Sequence, residues 1–597
     1  MNQLDIQRIK NMVCGLLKFT YPIDFTVYQS DDLRVDGRDG KYSIGCADLS
    51  MLARGVFLLC KAIDEGTVEV HILQKRYFTE CGVMVQLSFG NALKVEALKR
   101  YIDHIAALGF NLLMLYMEDL FELEGYPYFG YMRGRYSAQE LKEIDDYAYS
   151  MGVELVPCVQ TLAHLENYTK WKEAAPIHDS GDVLLVNNDE TYVFIRAMLS
   201  FLSSVFRTRK IHIGMDEANG MGFGNYYASH GLPNRKQLLI DHILRVKELC
   251  GEYGLVPRIW SDMLFEVSGG TLAEYSPDAV ITNDIAKAVE DVELVYWNYY
   301  RTNREPYDYN LDRHFSFSDK VSFAGGVWTW DGLLVNTTFT IESALPGLRS
   351  ALEHGVQHIL ATSWGKDAEE MQSFYALAAF SEFAYRGNAC TPEMIHDIGS
   401  YLTKVSKEVI EAMSDLQLGY DGAVCMGRRF LYCDVLYPLF RREVDHKHAR
   451  DIYNRAIETI ERDNTTGYTQ FRQFAICIFK ICILKSELLE NLRLNYQAKN
   501  YPYLNHFADE VLPELIALYE ELSALHEDIW LADYKPFGIE KLHLEYGGII
   551  ARLHYVRRQL SSYLDGRLER ISELEEAENV PENTNMLPNK YYMSTRL

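Results

Sequence analysis

Two adjacent carboxylates, Asp216 and Glu217, follow a short apolar run at residues 211–215. An apolar run of this kind predicts a buried strand, and a buried strand does not end in unpaired acids without a reason. Neighbouring acids repel each other, and the repulsion pushes their pKa values apart. One can then stay protonated as a general acid while the other stays ionised. A bare Asp-Glu pair is usually solvated, so the residues around this pair decide the interpretation.

Eight apolar runs alternate with helical patterns over roughly 300 residues. One helical pattern stops at Gly109, and a capping box at Ser137 and Glu140 opens another. Eight strands alternating with helices predict an α/β fold built on a (β/α)₈ TIM barrel, for which ~250 residues is typical. Residues 268–277 and 299–319 are predicted to be long loops. The predicted strands are 83–88, 111–116, 153–160, 210–215, 256–261, 293–298, 322–328 and 358–364.

Three domains are predicted from the change in pattern along the chain. Residues 1–76 form a small α+β domain, residues 77–390 the catalytic barrel and residues 391–597 an α-helical domain. The tail after Glu576 is polar, which predicts loose order. The helical patterns of the last domain are 393–416, 449–462, 471–494 and 542–574.

Composition excludes several classes of protein. The formal net charge of −25 argues against a nucleic-acid partner. No segment approaches the ~18 consecutive apolar residues of a membrane span. The N-terminus does not resemble a secretory leader, and the eleven cysteines are scattered without metal-ligand spacing. We therefore predict a cytoplasmic enzyme that binds no metal and no cofactor.

The chemically unusual residues stand where the predicted strands end, which is the end of a barrel that carries the active site. Five of the seven tryptophans are among them, and this concentration predicts an aromatic-lined sugar pocket with acids at its floor. The residues at or just after these strand ends are Glu118, Asp119, Gln160, His164, Asp216, Glu217, Trp260, Asp262, Trp297, Tyr299, Trp328, Trp330, Trp364, Asp367 and Glu370.

The pattern His212-x-Gly-x-Asp216-Glu217 after a strand resembles the acid motif of glycoside hydrolase family 20, the β-N-acetylhexosaminidases. The wider set of motifs is similar to the cytoplasmic, three-domain bacterial branch of that family. The similarity runs in order from the first domain through the barrel into the helical domain. The supporting stretches are 115–119, 128–131, 160–165, 260–263, 295–300, 323–326 and 364–365.

The resemblance implies an exo-acting, retaining enzyme that removes terminal β-linked N-acetylglucosamine or N-acetylgalactosamine without a protein nucleophile. The 2-acetamido oxygen of the substrate attacks the anomeric carbon and forms an oxazolinium ion. Glu217 matches the acid/base, Asp216 the anion at the acetamido nitrogen and Tyr299 the donor to the acetamido carbonyl. Trp260, Trp297 and Trp364 are the candidates for the apolar box around the methyl group, and the alternative role for one of them is the platform under the sugar ring.

The predicted substrate-binding set is wider than this box. His164 is interpreted as a hydrogen-bonding residue that orients a neighbouring carboxylate, in preference to a proton relay. Adjacent residues of a straight strand face opposite sides, so the chain must turn for Asp216 and Glu217 to share one site. We place that turn at residues 218–222. The full set is Glu118, His164, Trp260, Asp262, Trp297, Trp328, Trp330, Trp364, Asp367 and Glu370.

Three positions depart from the family pattern. Cys81 stands where many members carry an arginine, Phe89 interrupts a Ser-Arg-Asn stretch of close relatives, and Lys366 replaces an acid. One hypothesis is that Lys366 accommodates a sulfate or phosphate on the sugar; the alternative is a solvated surface lysine.

Two other functions stay open from the sequence. A conventional two-carboxylate retaining glycosidase would use Glu118 or Asp119 as its nucleophile. A non-catalytic barrel would bind sugar or a protein through its aromatic rim. The predicted partner is a carbohydrate, with neither nucleic acid nor membrane, and a homodimer is one arrangement open to the chain.

Overall fold

The structure is a computed structural model. Residue 576 is the last described, so the predicted loose tail lies outside the described part of the chain. The described residues are 2–269, 274–330, 332–418, 426–437 and 445–576.

By its internal contacts the chain divides into two compact units. The first contains residues 1–326, 341–364 and 377–398, and the second contains residues 327–340, 365–376 and 399–597. The predicted domain boundaries at residues 76 and 390 stay predictions.

The N-terminal part of the first unit is a four-stranded sheet with two helices. The sheet has the order β1-β3-β2-β4, with β1 parallel to β3 and the other pairs antiparallel. Asp48 starts α2 because its side chain accepts a hydrogen bond from the Met51 amide at 2.9 Å. The elements are α1 (Gln3–Leu17), β1 (Asp24–Gln29), β2 (Leu33–Arg38), β3 (Lys41–Cys46), α2 (Leu49–Asp64) and β4 (Glu69–Gln74).

A fully buried arginine ties α2 to more distant segments of the same unit. The Arg54 guanidinium lies 2.5 Å from Glu382 and also donates to Gln74, Ser381 and the Leu108 carbonyl. Breaking a buried ion pair by removing one partner typically costs about 3–5 kcal/mol, since the other charge stays buried.

We expect Arg54→Met to lower the midpoint temperature of thermal unfolding by several degrees, because Glu382 loses this partner. Calorimetry measures the change. Arg34→Met is the matched control, since Arg34 is half exposed and pairs only loosely with Asp32 at 3.7 Å. Equal midpoint temperatures in the two variants would contradict a stabilising role for the buried pair.

Eight parallel strands close into a barrel in the order β10-β11-β12-β13-β14-β5-β6-β7. The predicted TIM barrel and all eight of its predicted strands are therefore confirmed. A separate two-stranded hairpin, β8 (His178–Ser180) and β9 (Val183–Leu184), lies in the loop after the third barrel strand. The barrel strands are β5 (Glu80–Gln86), β6 (Leu112–Tyr116), β7 (Glu154–Cys158), β10 (Lys210–His212), β11 (Val256–Trp260), β12 (Glu293–Trp297), β13 (Val321–Val327) and β14 (His358–Ser363).

Two helices between the strands end or begin at the capping residues that the sequence predicted. The first barrel helix ends at Gly109, whose φ of 90° suits the left-handed cap, and the capping box at Ser137 is present. The helices are α3 (Val95–Leu108), α4 (Ala138–Ser150), α5 (Glu166–Thr169), α6 (Asp189–Val205), α7 (Asn225–His230), α8 (Arg235–Glu252), α9 (Asp262–Glu266), α10 (Asn283–Ala288), α11 (Glu305–Phe315), α12 (Thr337–Glu353) and α13 (Phe374–Arg386).

One loop prediction was wrong. Residues 299–319 contain α11, which starts at Glu305 with a proline in its first turn. Its buried face consists of Tyr307, Leu311 and His314. Two of these three residues are not aliphatic, so the helical period was hidden from a pattern search based on apolar residues.

After residue 390 the described chain is helical, as predicted. The helices are α14 (Pro392–Thr403), α15 (Lys407–Ser414), α16 (Met426–Tyr432), α17 (His446–Arg462), α18 (Thr469–Gln497), α19 (Tyr501–His506), α20 (Leu512–Asp533), α21 (Glu540–Leu564) and α22 (Ser572–Glu575). Within the part of the chain that the structure describes, no helix is both long and apolar enough to cross a bilayer.

Candidate active site

The two acids leave β10 through a turn that begins earlier than predicted. Gly214, Met215 and Glu217 have positive φ values of 70°, 76° and 48°. The chain has therefore left strand geometry before it reaches Asp216, and adjacent carboxylates can reach the same site. The turn placed at residues 218–222 by the sequence already starts at Gly214. Strained backbone of this kind is typical of functional sites.

Gln160, at the end of the third barrel strand, holds this turn in place. Its side-chain oxygen accepts the Met215 amide at 3.3 Å, and its Nε2 donates to Asp216 Oδ1 at 2.8 Å. The same nitrogen donates to the Tyr116 hydroxyl at 2.9 Å. A Cβ atom on Gly214 would lie 1.9 Å from Gln160 Oε1, so only glycine permits this close approach.

We expect Gly214→Ala to lower kcat about a hundredfold, because displacing Gln160 moves Asp216 and a shift of about 1 Å can have that effect. Steady-state hydrolysis of an aryl glycoside measures the loss. Gly231→Ala is the control: Gly231 also has a positive φ, of 80°, but a Cβ there meets no atom within 4 Å. An unchanged kcat for Gly214→Ala would show that the turn does not position the acid.

His164 contacts both acids. Its Nε2 lies 3.3 Å from Asp216 Oδ2 and 3.5 Å from Glu217 Oε2. Its backbone amide donates to Asp182 Oδ2 at 2.9 Å. Burial alone would lower the pKa of His164, but the charges of Asp216 and the neighbouring acids raise it to about 10. The imidazolium therefore lies where it can pair with both carboxylates, and its role in orienting them stays a prediction.

The pKa values of Asp216 and Glu217 move in opposite directions. Burial raises the pKa of Asp216, but His164 outweighs it and the net pKa is lowered. Partial desolvation by the surrounding protein and the charge of Asp216 raise the pKa of Glu217. Glu274 hydrogen-bonds to Glu217, and partial desolvation together with that neighbour raises the pKa of Glu274 to about 7. The geometry thus keeps Asp216 ionised and favours a proton on Glu217.

Asp262, predicted to contact the substrate, is bonded by the protein on both oxygens. Oδ2 accepts the Glu217 amide at 3.0 Å and Oδ1 accepts the Trp297 indole N–H at 3.2 Å. This nearly fully buried carboxylate therefore positions the acid/base candidate and one wall of the site. A direct contact between Asp262 and the substrate stays a prediction.

Aromatic side chains from several strand ends come together beside the acids. Tyr299 stacks on Trp297, with ring centroids 5.2 Å apart and an interplanar angle of 25°. Trp364 lies edge-on to Tyr116 at 4.9 Å and 6.0 Å from Trp260, which packs against His212. The structure thus brings together the three tryptophans and the tyrosine of the predicted acetamido box, and their contact with substrate stays a prediction.

Glu118 and Asp119 sit in an environment that does not suit a nucleophile. Burial, opposed by His164, raises the pKa of Glu118 to about 8, so its carboxyl is mostly protonated at neutral pH. Asp119 accepts a hydrogen bond from Arg133 Nε at 3.0 Å. Both are nearly fully buried, and Glu118 has a positive φ of 46°. A role for Glu118 in substrate binding stays a prediction.

Four predicted substrate-binding residues belong to the second compact unit. Trp328 and Trp330 pack together with ring centroids 4.5 Å apart. Asp367 lies 3.3 Å from Lys541 and 3.6 Å from Arg428, and Glu370 accepts a hydrogen bond from the Tyr534 hydroxyl at 2.5 Å. Their role in substrate binding stays a prediction.

The departures from the family pattern occupy different places. Cys81 is buried near the start of β5, at the end of the barrel opposite to the acids, so its thiol cannot take part in recognition at the rim. Phe89 follows the same strand and is half-buried, while Lys366 is exposed. The anionic-substituent hypothesis for Lys366 stays a prediction.

Two positioning residues were not identified from the sequence. Gln160 stood in a quoted motif without an assigned role, and Asp182 lies in the unpredicted hairpin loop that supports His164. The clue for Gln160 was an amide side chain at the end of the third predicted strand, next in order to the strand that ends in the acids. No sequence feature marked Asp182. Among the described residues, no group of three or more His, Cys, Asp or Glu side chains is placed to hold a metal ion.

Two family models and several known proteins match the sequence of this chain. The catalytic-domain model of glycosyl hydrolase family 20 matches residues 82–282, and the Glycoside Hydrolase 20C C-terminal domain model matches residues 424–592. The chain is 24% identical to hexosaminidase D of Bos taurus over 273 residues, which is 44% of this chain and 74% of that protein. It is 28% identical to hexosaminidase D of Homo sapiens over 191 residues, which is 30% of this chain but only 39% of that protein.

A solved structure extends the similarity in fold along almost the whole chain. The chitobiase of Flavobacterium johnsoniae has a TM-score of 0.52 and 14% sequence identity, with 96% of this chain and 89% of that chain covered. An acid pair and tryptophans at the C-terminal rim of a (β/α)₈ barrel fit a glycoside hydrolase, and the match to the catalytic-domain model shows this class. With both family models matched, the chain belongs to glycoside hydrolase family 20.

Proposed function

We propose that this chain is an exo-acting, retaining β-N-acetylhexosaminidase in which the acetamido group of the substrate is the nucleophile. Membership of family 20 makes the chain a glycoside hydrolase with β-N-acetylhexosaminidase activity. One observation supports the residue roles best. Asp216 and Glu217 are adjacent at the barrel rim and share His164, yet their pKa values are shifted in opposite directions.

In the first step Glu217 donates its proton to the leaving glycosidic oxygen while the acetamido oxygen attacks the anomeric carbon. Ionised Asp216 holds the acetamido N–H and stabilises the positive charge of the oxazolinium ion. In the second step Glu217, now ionised, removes a proton from a water molecule. This water attacks the anomeric carbon and opens the oxazolinium ring. Each step inverts the configuration at the anomeric carbon, so the two steps together retain it.

The conventional two-carboxylate mechanism fits the site less well. A nucleophilic carboxylate must be ionised, and the raised pKa of Glu118 opposes that. Asp119 is bound by Arg133. Holding an internal nucleophile in place gives effective molarities of about 10⁵ M or more, so the acetamido group needs no help from a protein nucleophile.

The decisive experiment compares 4-nitrophenyl glycosides of β-N-acetylglucosamine, β-N-acetylgalactosamine and β-glucose. Turnover of the acetamido sugars alone, with release of the β-anomer seen by proton NMR, is the expected result. Comparable turnover of the β-glucoside would overturn the acetamido mechanism and return Glu118 and Asp119 to consideration.

We further propose a cytoplasmic location and a homodimer, both carried from the sequence interpretation. Light scattering of the purified protein tests the homodimer, since a mass near the 68.8 kDa of one chain would contradict a dimer.

Activity on 6-sulfated N-acetylglucosaminides tests the role of Lys366.

A further inference from the structure

Three aromatic side chains form a partly exposed cluster on the loops after the second and third barrel strands. Tyr128 and Tyr131 are 42% and 41% exposed, and Trp171 is half-buried. The ring centroid of Trp171 lies 5.0 Å from that of Tyr128 and 5.8 Å from that of Tyr131. We call Tyr128, Tyr131 and Trp171 the rim cluster. Burying these rings would stabilise the protein further, so their partial exposure calls for an explanation.

The segment that carries two residues of the rim cluster packs against Asp119, which follows the second barrel strand. A Cβ atom on Gly130 would lie 2.2 Å from the Asp119 carbonyl oxygen, so the segment that carries both tyrosines folds directly onto Asp119. Arg133 Nε donates to the Asp119 side chain, and the neighbouring Glu118 interacts electrostatically with His164. Trp171 follows His164 in the same strand-end loop.

The backbone around the cluster is also fixed. Glu173 accepts the Tyr128 amide at 3.4 Å and the Tyr168 hydroxyl at 3.2 Å, which joins the two loops. Arg135 donates to the Phe129 carbonyl at 2.7 Å. The rings are therefore presented on a preorganised surface, which lowers the entropic cost of binding a ligand.

We propose that the rim cluster binds the sugar chain on the leaving-group side of the scissile bond, so that the enzyme prefers oligosaccharides to simple aryl glycosides. This inference rests on the proposed function and adds the substrate class. The C–H faces of pyranose rings pack on aromatic rings, and the net charge of −25 disfavours polyanionic partners. The two loops that carry the cluster follow β6 and β7, so they start from the end of the barrel that carries the acids.

The test measures kcat/KM for β-1,4-linked N-acetylglucosamine di-, tri- and tetrasaccharides and for the 4-nitrophenyl monosaccharide. In the unmodified protein kcat/KM is expected to rise about tenfold from the disaccharide to the tetrasaccharide. Trp171→Ala and Tyr128→Ala should remove most of that rise and leave the aryl glycoside within about twofold. Trp171→Phe keeps an aromatic face and should restore most of the preference.

Tyr149→Ala is the matched control, since Tyr149 is 65% exposed near the end of α4, away from the strand ends. No rise with chain length in the unmodified protein would overturn the inference while the proposed function stands. A parallel loss on aryl and oligosaccharide substrates in the variants would also overturn it, because the cluster would then be structural. Inactivity on every acetamido sugar would instead remove the proposed function.

Discussion

Glu217→Gln is expected to lower kcat by about a hundredfold to ten-thousandfold on N-acetylglucosaminides with little change in KM. The glutamine keeps the size of the side chain, but it can neither protonate the leaving oxygen nor activate water. The loss should be larger for a disaccharide than for the 4-nitrophenyl glycoside, because a sugar alkoxide needs protonation more than a nitrophenolate does. Steady-state rates on both substrates measure the difference.

The pH profile gives this prediction a second readout. The catalytic form has Glu217 protonated, so activity should fall as the pH rises through the pKa of Glu217, which partial desolvation and Asp216 raise above its usual range. The variant should lack this basic limb. Added azide needs no general base and should restore part of the rate by forming a β-glycosyl azide. Glu166→Gln, at an exposed position of α5, should behave as the unmodified protein. A retained basic limb in Glu217→Gln would assign it to another group, with Glu274 the first candidate.

The architecture could be predicted because the signals that specify it are local. Each barrel strand is an apolar run, and helix ends such as Gly109 and Ser137 carry their own capping residues. The order of strands then follows from the rule that parallel strands in such a fold are joined by right-handed crossovers. A family motif placed Asp216 and Glu217 at the rim without any knowledge of distances.

What the sequence could not supply were the contacts that set the chemistry. Asp182 reaches His164 from a hairpin of five strand residues, which is too short to give a periodic pattern. Asp262 accepts hydrogen bonds from the Glu217 amide and the Trp297 indole, which no local pattern indicated, while its contact with the substrate stays a prediction. These contacts join residues 45 and 35 positions apart, so they depend on the closed barrel rather than on any local pattern.

Asp216→Asn tests whether the second acid acts on the transition state. We expect kcat to fall about a hundredfold to a thousandfold, as for removal of one preorganised electrostatic group from an active site. The asparagine retains hydrogen bonding to Gln160 but cannot balance the positive charge of the oxazolinium ion. Binding of a thiazoline analogue of that ion should weaken much more than binding of N-acetylglucosamine, because the charge develops only as the ring forms. Inhibition constants for the two compounds measure this difference.

The effect on His164 separates catalysis from simple loss of structure. Asp216 is the main group that raises the pKa of His164 against the effect of burial, so its neutralisation should bring that pKa down towards neutrality. A new ionisation should therefore enter the pH profile of Asp216→Asn. Asp182→Asn is the matched control, since Asp182 supports the His164 backbone without touching Asp216, and it should leave the preference for the thiazoline intact. If both variants lost thiazoline and product binding equally, Asp216 would be a structural partner of His164, and the charge that stabilises the oxazolinium ion would have to come from another residue.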